Sequence, residues 1–272
     1  MNEYNAIVSK RIDLAPGLMI MHVAPKGWPI PQYTPGQFTV LGLPGTYARH
    51  PSSVAEKEPI KPGNEAKLLR RAYSLASTPH YSDELEFYIT MVNDGGLTPR
   101  LFQLNMGDPI YVGPKITGHF TLTGIPPEAN VVLVSTGTGL APFVSMVRTD
   151  LAHFPKRKWM ILHGVRHSWE LAYRDELSAY TRLFPNFSYI STVSRPADEK
   201  FDWRGRTGYV QDIWKQKVIQ HIWGHDVTPA NTHFFFCGNP AMITTFSGLL
   251  HADGFVDHTN KVPGQIHSEK YW

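Results

Sequence analysis

Two patterns of apolar residues divide the chain. Up to about residue 124, short apolar runs are broken by Gly and Pro: AIVSKRI, LMIMHV, QFTVLGL, RAYSLAS, ELEFYITMV and DPIYVG. Six such runs with little helix between them predict an antiparallel six-stranded β-barrel or a sandwich. One helix interrupts them, LTPRLFQLN at 97–105, behind the pair Gly95-Gly96. After GIPPE the pattern changes. NVVLVS, KWMILHG, FSYISTVS and THFFFCG are apolar runs, each followed by a segment able to hold a helix. Apolar strands alternating with helices predict a parallel, doubly wound sheet covered on both faces. The expected fold is thus two-domain, β then α/β, over 1–124 and 125–272. Residues 46–69 are polar and proline-containing, and read as a surface excursion between strands.

Composition narrows the field. At 272 residues and 42% hydrophobic, the chain can fill two cores. Its net charge of +3 suits phosphate ligands or acidic partners, but no Lys/Arg run is dense enough for nucleic acid. Cys237 is the one cysteine, so a single chain forms no disulfide and supplies no four-cysteine cluster. The thirteen histidines show no HExxH-like spacing, and no protein-bound metal is expected. MNEYNAIVSKRIDLAPG lacks the apolar core of a signal peptide, and LMIMHV is too short to span a bilayer. The expectation is a cytoplasmic protein with no membrane attachment.

Three stretches carry chemistry. RRAYSLAS sets Arg71, Tyr73, Ser74 and Ser77 along one strand. A buried apolar face would leave those polar groups without partners, so they point to a flat, polar-edged ligand bearing phosphates. VSTGTGLAPF places Gly137 and Gly139 between a strand and a helix, where main-chain N–H groups can meet a phosphate. The spacing is not GxGxxG, and a glycine turn alone is equally a tight connection. Arg166, Ser194, Arg195 and Arg206 follow the carboxyl ends of later strands or lie just beyond them. Arginines gathered there can grip a phosphate monoester, and no acidic residue stands ready for a free ribose hydroxyl. This favours NADP over NAD. Cys237, one residue before a Gly-Asn-Pro turn, is either a small buried apolar group or a neighbour of the ligand crevice.

RAYSLAS, GGLTPRL, GTGLAPF, HGVRHSWELAY, CGNPAM and EKYW, in that order, resemble the ferredoxin–NADP reductase family, in its bacterial ferredoxin/flavodoxin branch. The resemblance covers nearly the whole chain. It implies an FAD-binding domain, then an NADP-binding domain whose C-terminal tail returns to the flavin. It makes Arg71, Ala72, Tyr73 and Ser74 the flavin strand, with Arg71 on the pyrophosphate, Tyr73 against the isoalloxazine and Ser74 near flavin N5. Gly96, Leu97 and Thr98 would cradle the pyrophosphate, a role their place at a helix start supports independently. Thr136, Gly137, Thr138, Gly139, Gly238, Asn239 and Met242 would line the NADP(H) site. Arg166, Ser194, Arg195 and Arg206 would take the adenosine phosphate. Cys237 would sit beside the nicotinamide, and Glu269 would handle protons near the flavin. Tyr271 and Trp272 would stack on the flavin and the FAD adenine.

The implied activity is hydride transfer from NADPH to FAD N5, then single electrons to ferredoxin or flavodoxin, in a monomeric enzyme. Lys67, Arg70 and Arg100 are candidates for meeting an acidic carrier. Reduction of free flavin, ferric chelates or quinones would share every cofactor motif. A non-catalytic nucleotide sensor is the remaining alternative. The excursion at 46–69 is longer than the corresponding turn in compact bacterial members. It would cover the adenine end of FAD, shape the partner surface, or be a tolerated insertion.

Overall fold

A computed structural model describes residues 4–81 and 83–270. The chain divides into two compact units, Met1–Thr121 and Leu122–Trp272.

The first unit holds β1 (Ala6–Ala15), β2 (Leu18–Pro25), β3 (Phe38–Pro44), β4 (Leu68–Ser74), β5 (Leu85–Thr90), α1 (Thr98–Leu101) and β6 (Pro109–Val112). All its strand pairs are antiparallel, in the order β4-β3-β6-β1-β2-β5. All six expected strands are present. The expected closure into a barrel takes another form, because among the described residues β4 and β5 share no ladder. Just past β4 the chain crosses over instead, and the Ala76 N–H donates to the Glu86 carbonyl of β5 at 2.9 Å. Alternate side chains of the strands, among them Met19, Met21, Leu41, Phe87 and Val112, fill one apolar core.

The predicted helix over 97–105 shrinks to the single turn of α1. Past Leu101 the chain tightens into turns, with Gln103 N–H on Arg100 O and Leu104 N–H on Leu101 O. The Asp108 carboxylate then captures the Asn105 N–H at 2.7 Å and turns the chain toward β6. A side chain just ahead of the next strand thus fixes the turn that follows the helix.

The second unit holds β7 (Asn130–Thr136), α2 (Ala141–Asp150), β8 (Trp159–Val165), α3 (Arg174–Leu183), β9 (Phe187–Val193), β10 (Arg206–Thr207), α4 (Val210–Lys215), α5 (Val218–Trp223), β11 (Thr232–Cys237), α6 (Pro240–Ala252) and β12 (Ile266–Glu269). Every strand pair is parallel, in the order β10-β9-β8-β7-β11-β12. β8 is buried along its whole length, as a central strand covered on both faces must be. The winding reverses between β7 and β11. In an open sheet such a reversal opens a crevice beyond the carboxyl ends of the two strands. Among the described residues, no helix is long and apolar enough to cross a membrane.

Candidate functional site

β4 is paired on one side only, by β3, with Leu41 opposite Arg71 and Phe38 opposite Ser74. Strand alternation puts Arg71 and Tyr73 on one face and Ser74 on the other. Tyr73 packs edge-on against Phe87 at 6.4 Å, and burial pushes its phenol up, outweighing the nearby Arg71 charge. Arg71 and Ala72 are exposed, and among the described residues the Arg71 guanidinium bonds only to the carbonyl of Arg70. Ser77 corrects the sequence reading. It is buried, accepts from Tyr33 Oη at 3.1 Å and from the Glu86 N–H at 3.2 Å, and belongs to the crossover.

The turn into α1 is held from beneath by charge. Arg49 Nη1 donates to the Gly95 carbonyl at 2.8 Å and to Glu56 Oε1 at 3.0 Å. Arg100 Nη1 donates to the Gly96 carbonyl and to the same Glu56 oxygen, the latter at 2.6 Å. Its Nη2 reaches the Gly45 carbonyl at 2.6 Å. Each peptide unit is planar and trans, so anchoring the Gly95 and Gly96 carbonyls turns the Gly96 and Leu97 N–H groups the opposite way. None of the Gly96, Leu97 and Thr98 N–H groups has an acceptor among the described residues. The Thr98 hydroxyl is tied to Val92, accepting its N–H at 2.9 Å.

This clamp is what the 46–69 excursion builds. Its residues Val54 and Lys57 donate main-chain bonds to Asn93 and Asp94, and carry Glu56 in between. Arg100 is only 4% exposed, which removes it from the carrier-facing candidates. Arg70 lies over the Tyr111 ring at 4.4 Å, and Lys67 is exposed.

In the second unit the loops at the reversal turn on three glycines, and two of them, Gly139 and Gly238, leave no room for a side chain. Gly137, at φ +53°, starts a short 3-10 turn, Gly137–Leu140, that leads into α2. A Cβ on Gly139 would stand 2.3 Å from the Cys237 carbonyl. Gly238 has φ +134°, and a Cβ there would stand 2.3 Å from Thr136 Oγ1. Thr136 Oγ1 also accepts the Asn239 N–H at 2.8 Å, and Asn239 Oδ1 caps α6 through the Ala241 N–H. The turns after β7 and β11 are thereby locked to each other. Met242 is buried in the apolar core of this unit, in α6.

Sequence reasoning missed the group beneath the first loop. His163, in the middle of β8, is fully buried, with Nε2 3.1 Å from the Gly137 carbonyl and Nδ1 3.3 Å from Tyr189 Oη. Burial pushes its pKa down to about 4. The signal was present in KWMILHG, as one polar side chain inside an otherwise apolar run.

The phosphate-binding candidates separate into two kinds. Arg195 N–H donates to the Arg166 carbonyl, and Arg206 pairs with Thr192 of β9, so both arginines lie at the carboxyl side of the sheet. Both are exposed, and neither guanidinium has a partner among the described residues. Arg166 is committed to Glu170, with Nη2 2.9 Å from Oε1. Ser194 Oγ donates to the Val165 carbonyl at 3.1 Å.

Cys237 ends β11 in register with Glu269 of β12. Burial, and then the Glu269 charge, push its thiol up, so it stays protonated at neutral pH. Tyr271 and Trp272 lie outside the described residues. No group of three or more His, Cys, Asp or Glu side chains among the described residues could hold a metal ion.

Comparison with known proteins agrees with this architecture. Residues 133–247 match the oxidoreductase NAD-binding domain family. The chain is 33% identical over 200 residues to the ferredoxin–NADP reductase of Azotobacter vinelandii, spanning 70% of this chain and 74% of that one. It is 29% identical over 245 residues to a flavodoxin/ferredoxin–NADP reductase of Buchnera aphidicola, covering 90% of each. A crystal structure of a Neisseria gonorrhoeae ferredoxin NADP+ reductase, with bound FAD and NADP, has the same fold at a TM-score of 0.80. It is 23% identical and covers 98% of both chains. The chain belongs to the ferredoxin–NADP reductase family.

Proposed function

We propose that this chain is an FAD-dependent reductase that moves electrons between NADPH and ferredoxin or flavodoxin, acting as a cytoplasmic monomer. The first unit, taken as 1–124, is the flavin domain, and the second, 125–272, is the NADP domain. One observation supports this above all: each unit carries a glycine turn whose carbonyl is anchored from beneath, which turns the following N–H the other way, and each unit carries exposed arginines. The donor set fits both cofactors. FAD, when bound, supplies a ring that takes a hydride and passes electrons on singly.

In the first unit the Gly96, Leu97 and Thr98 N–H groups and Arg71 hold the pyrophosphate, while Ala72 and Tyr73 lie along the ring. Ser74 would hold the reactive edge of the ring through its hydroxyl, and Glu269, from the second unit, would be the proton-handling carboxylate. In the second unit the turn at Thr136, Gly137, Thr138 and Gly139 holds the dinucleotide pyrophosphate, beside Gly238 and Asn239. Arg195 and Arg206 grip the adenosine 2′-phosphate, since bidentate guanidinium pairing suits a phosphate monoester. Cys237 seats the nicotinamide as a neutral thiol and needs no nucleophilic role. Tyr271 and Trp272 are assigned to the flavin face and the FAD adenine by family resemblance alone. Lys67 remains as an exposed cation for an acidic carrier.

The test is anaerobic rapid mixing of the purified protein with NADPH and, separately, with NADH, following the flavin absorbance band. Fast bleaching by NADPH and slow bleaching by NADH is the expected result. A flavin that neither nucleotide reduces would overturn the enzyme reading. Replacing Arg195 and Arg206 together with Ala should weaken NADPH use by roughly tenfold or more, the scale of losing charge-assisted bonds. NADH use should barely change, and equal loss for both nucleotides would reject the 2′-phosphate assignment.

A further inference from the structure

We infer that His163 is the positioning residue of the dinucleotide turn, holding the Gly137 carbonyl from inside the sheet so that the Thr138 N–H is aimed at the ligand pyrophosphate. This rests on the reading of that turn given under Proposed function, and extends it to a side chain that touches no ligand.

The tautomer follows from the partners. The Gly137 carbonyl can only accept, so the proton must sit on Nε2, 3.1 Å away. Nδ1 is then bare and accepts from the Tyr189 hydroxyl at 3.3 Å. Tyr189 in turn is bonded by Ser191. Register places His163 beside Ser191, with Tyr189 two residues away on the same face of β9. The imidazole is thus gripped at both nitrogens and has no exposed surface.

What the ring holds is the first peptide of the 3-10 turn. Gly137 sits at φ +53° with nothing within 4 Å of where a Cβ would be, so sterics alone do not fix it. Gly139 cannot compensate, being pressed against the Cys237 carbonyl. In the trans peptide between Gly137 and Thr138, C=O and N–H point in opposite directions. A carbonyl drawn down onto β8 therefore sets the Thr138 N–H facing away from the sheet. The ring is neutral at pH 7 because burial opposes its protonation. The Nε2 donor is therefore in place at neutral pH.

The experiment measures equilibrium binding to the FAD-loaded full chain, not turnover. NADP+ and adenosine 2′-monophosphate are titrated by calorimetry into the unaltered protein, His163→Met, His163→Gln and Tyr189→Phe. The monophosphate carries the adenosine phosphate but no pyrophosphate, so it does not sample the turn. His163→Met should raise the Kd for NADP+ by roughly three- to tenfold, the range of one neutral hydrogen bond, and leave the monophosphate Kd unchanged. His163→Gln, whose amide nitrogen can stand in for Nε2, should bind both ligands as the unaltered protein does. Tyr189→Phe, which frees the ring at Nδ1, should show a smaller loss confined to NADP+.

Equal weakening of both ligands by His163→Met would mean a merely structural role and overturn the inference. So would unchanged NADP+ binding, or a Gln variant as impaired as the Met variant. Should His163→Met not fold, the Gln and Tyr189→Phe results decide by the same criteria. An unaltered protein that binds neither ligand would instead bring down the parent reading of the site.

Discussion

The two units hold similar turns by opposite means. In the first, the Gly95 and Gly96 carbonyls are anchored by guanidiniums that share one carboxylate oxygen of Glu56. In the second, the Gly137 carbonyl is anchored by a neutral imidazole, and the neighbouring turn by a threonine hydroxyl and two glycines in van der Waals contact. A charged clamp is strong while complete, because removing one member leaves the others buried and uncompensated. A neutral one is weaker bond by bond, and its failure is local. The first unit should therefore respond sharply to loss of a charge, and the second to steric change and to acid.

The largest expected effect follows from breaking the charged clamp. Glu56→Ala leaves the Arg49 and Arg100 guanidiniums facing each other, Arg100 with 5% of its side chain exposed. The expected destabilisation of the first unit is about 3–5 kcal/mol. Urea-induced FAD release, followed by flavin fluorescence, should shift to much lower denaturant. NADP+ binding by the second unit should hold until the first has lost its flavin. Glu56→Gln keeps the shape and one acceptor, and should fall between the two. If the Ala variant releases FAD like the unaltered protein, the excursion is a tolerated insertion after all.

Acid should reverse the contrast. His163 and His267 are both in the second unit, pushed down to about 4 and about 3 from an ordinary value of 6.5. Burial is the main cause for both, with His258 and His233 adding to it for His267. The unfolded chain takes up these protons below its own pKa, and the folded one refuses them. Stability is thus full above that value and falls as the pH drops toward the folded pKa. His163 alone accounts for roughly 3 kcal/mol across its window. In the first unit, burial raises the Glu84 pKa, but bonds from Ser9 and the pairing with His22 outweigh it and bring it below 4.5. Its contribution persists until the pH falls beneath that. Trp159, Trp169, Trp203, Trp214 and Trp223 report on the second unit. Their fluorescence melt should decline between pH 6.5 and 4.5, before FAD release changes. Coincident decline of the two signals would refute the contrast.

The same division governs what was legible in the sequence. Glycines whose φ or contacts forbid a side chain, such as Gly238, stand out because only one residue type fits. Most of the main strands were legible because they bury an apolar run, whereas β4 has no buried residue and was legible through its polar pattern instead. β10 has two exposed residues and β12 reads IHSE, so neither carries such a run, and both form by pairing with strands already in place. The supports of the two turns were illegible for a related reason. Glu56 acts across 44 residues of sequence on Arg100, and His163 across 26 on Gly137, distances at which no local pattern exists. Ser77 and Arg100 were misread because a polar side chain looks the same in sequence whether it meets a ligand or a buried carbonyl.

Arg166 gives the smallest and most discriminating test. In sequence it groups with Arg195 and Arg206, and the structure separates it from them by pairing it with Glu170 at 2.9 Å. The guanidinium side is 57% exposed, so the pair is screened and worth little to stability, about 0.5 kcal/mol or less. A guanidinium already committed to a carboxylate has less to offer a phosphate. Arg166→Ala should therefore reduce NADPH affinity by only about twofold, well short of the Arg195 and Arg206 effect. Glu170→Gln would release Arg166, and should tighten NADPH binding while leaving NADH unchanged. If Arg166→Ala proves as damaging as Arg195→Ala, the carboxylate gives way when phosphate arrives, and all three arginines act as one group.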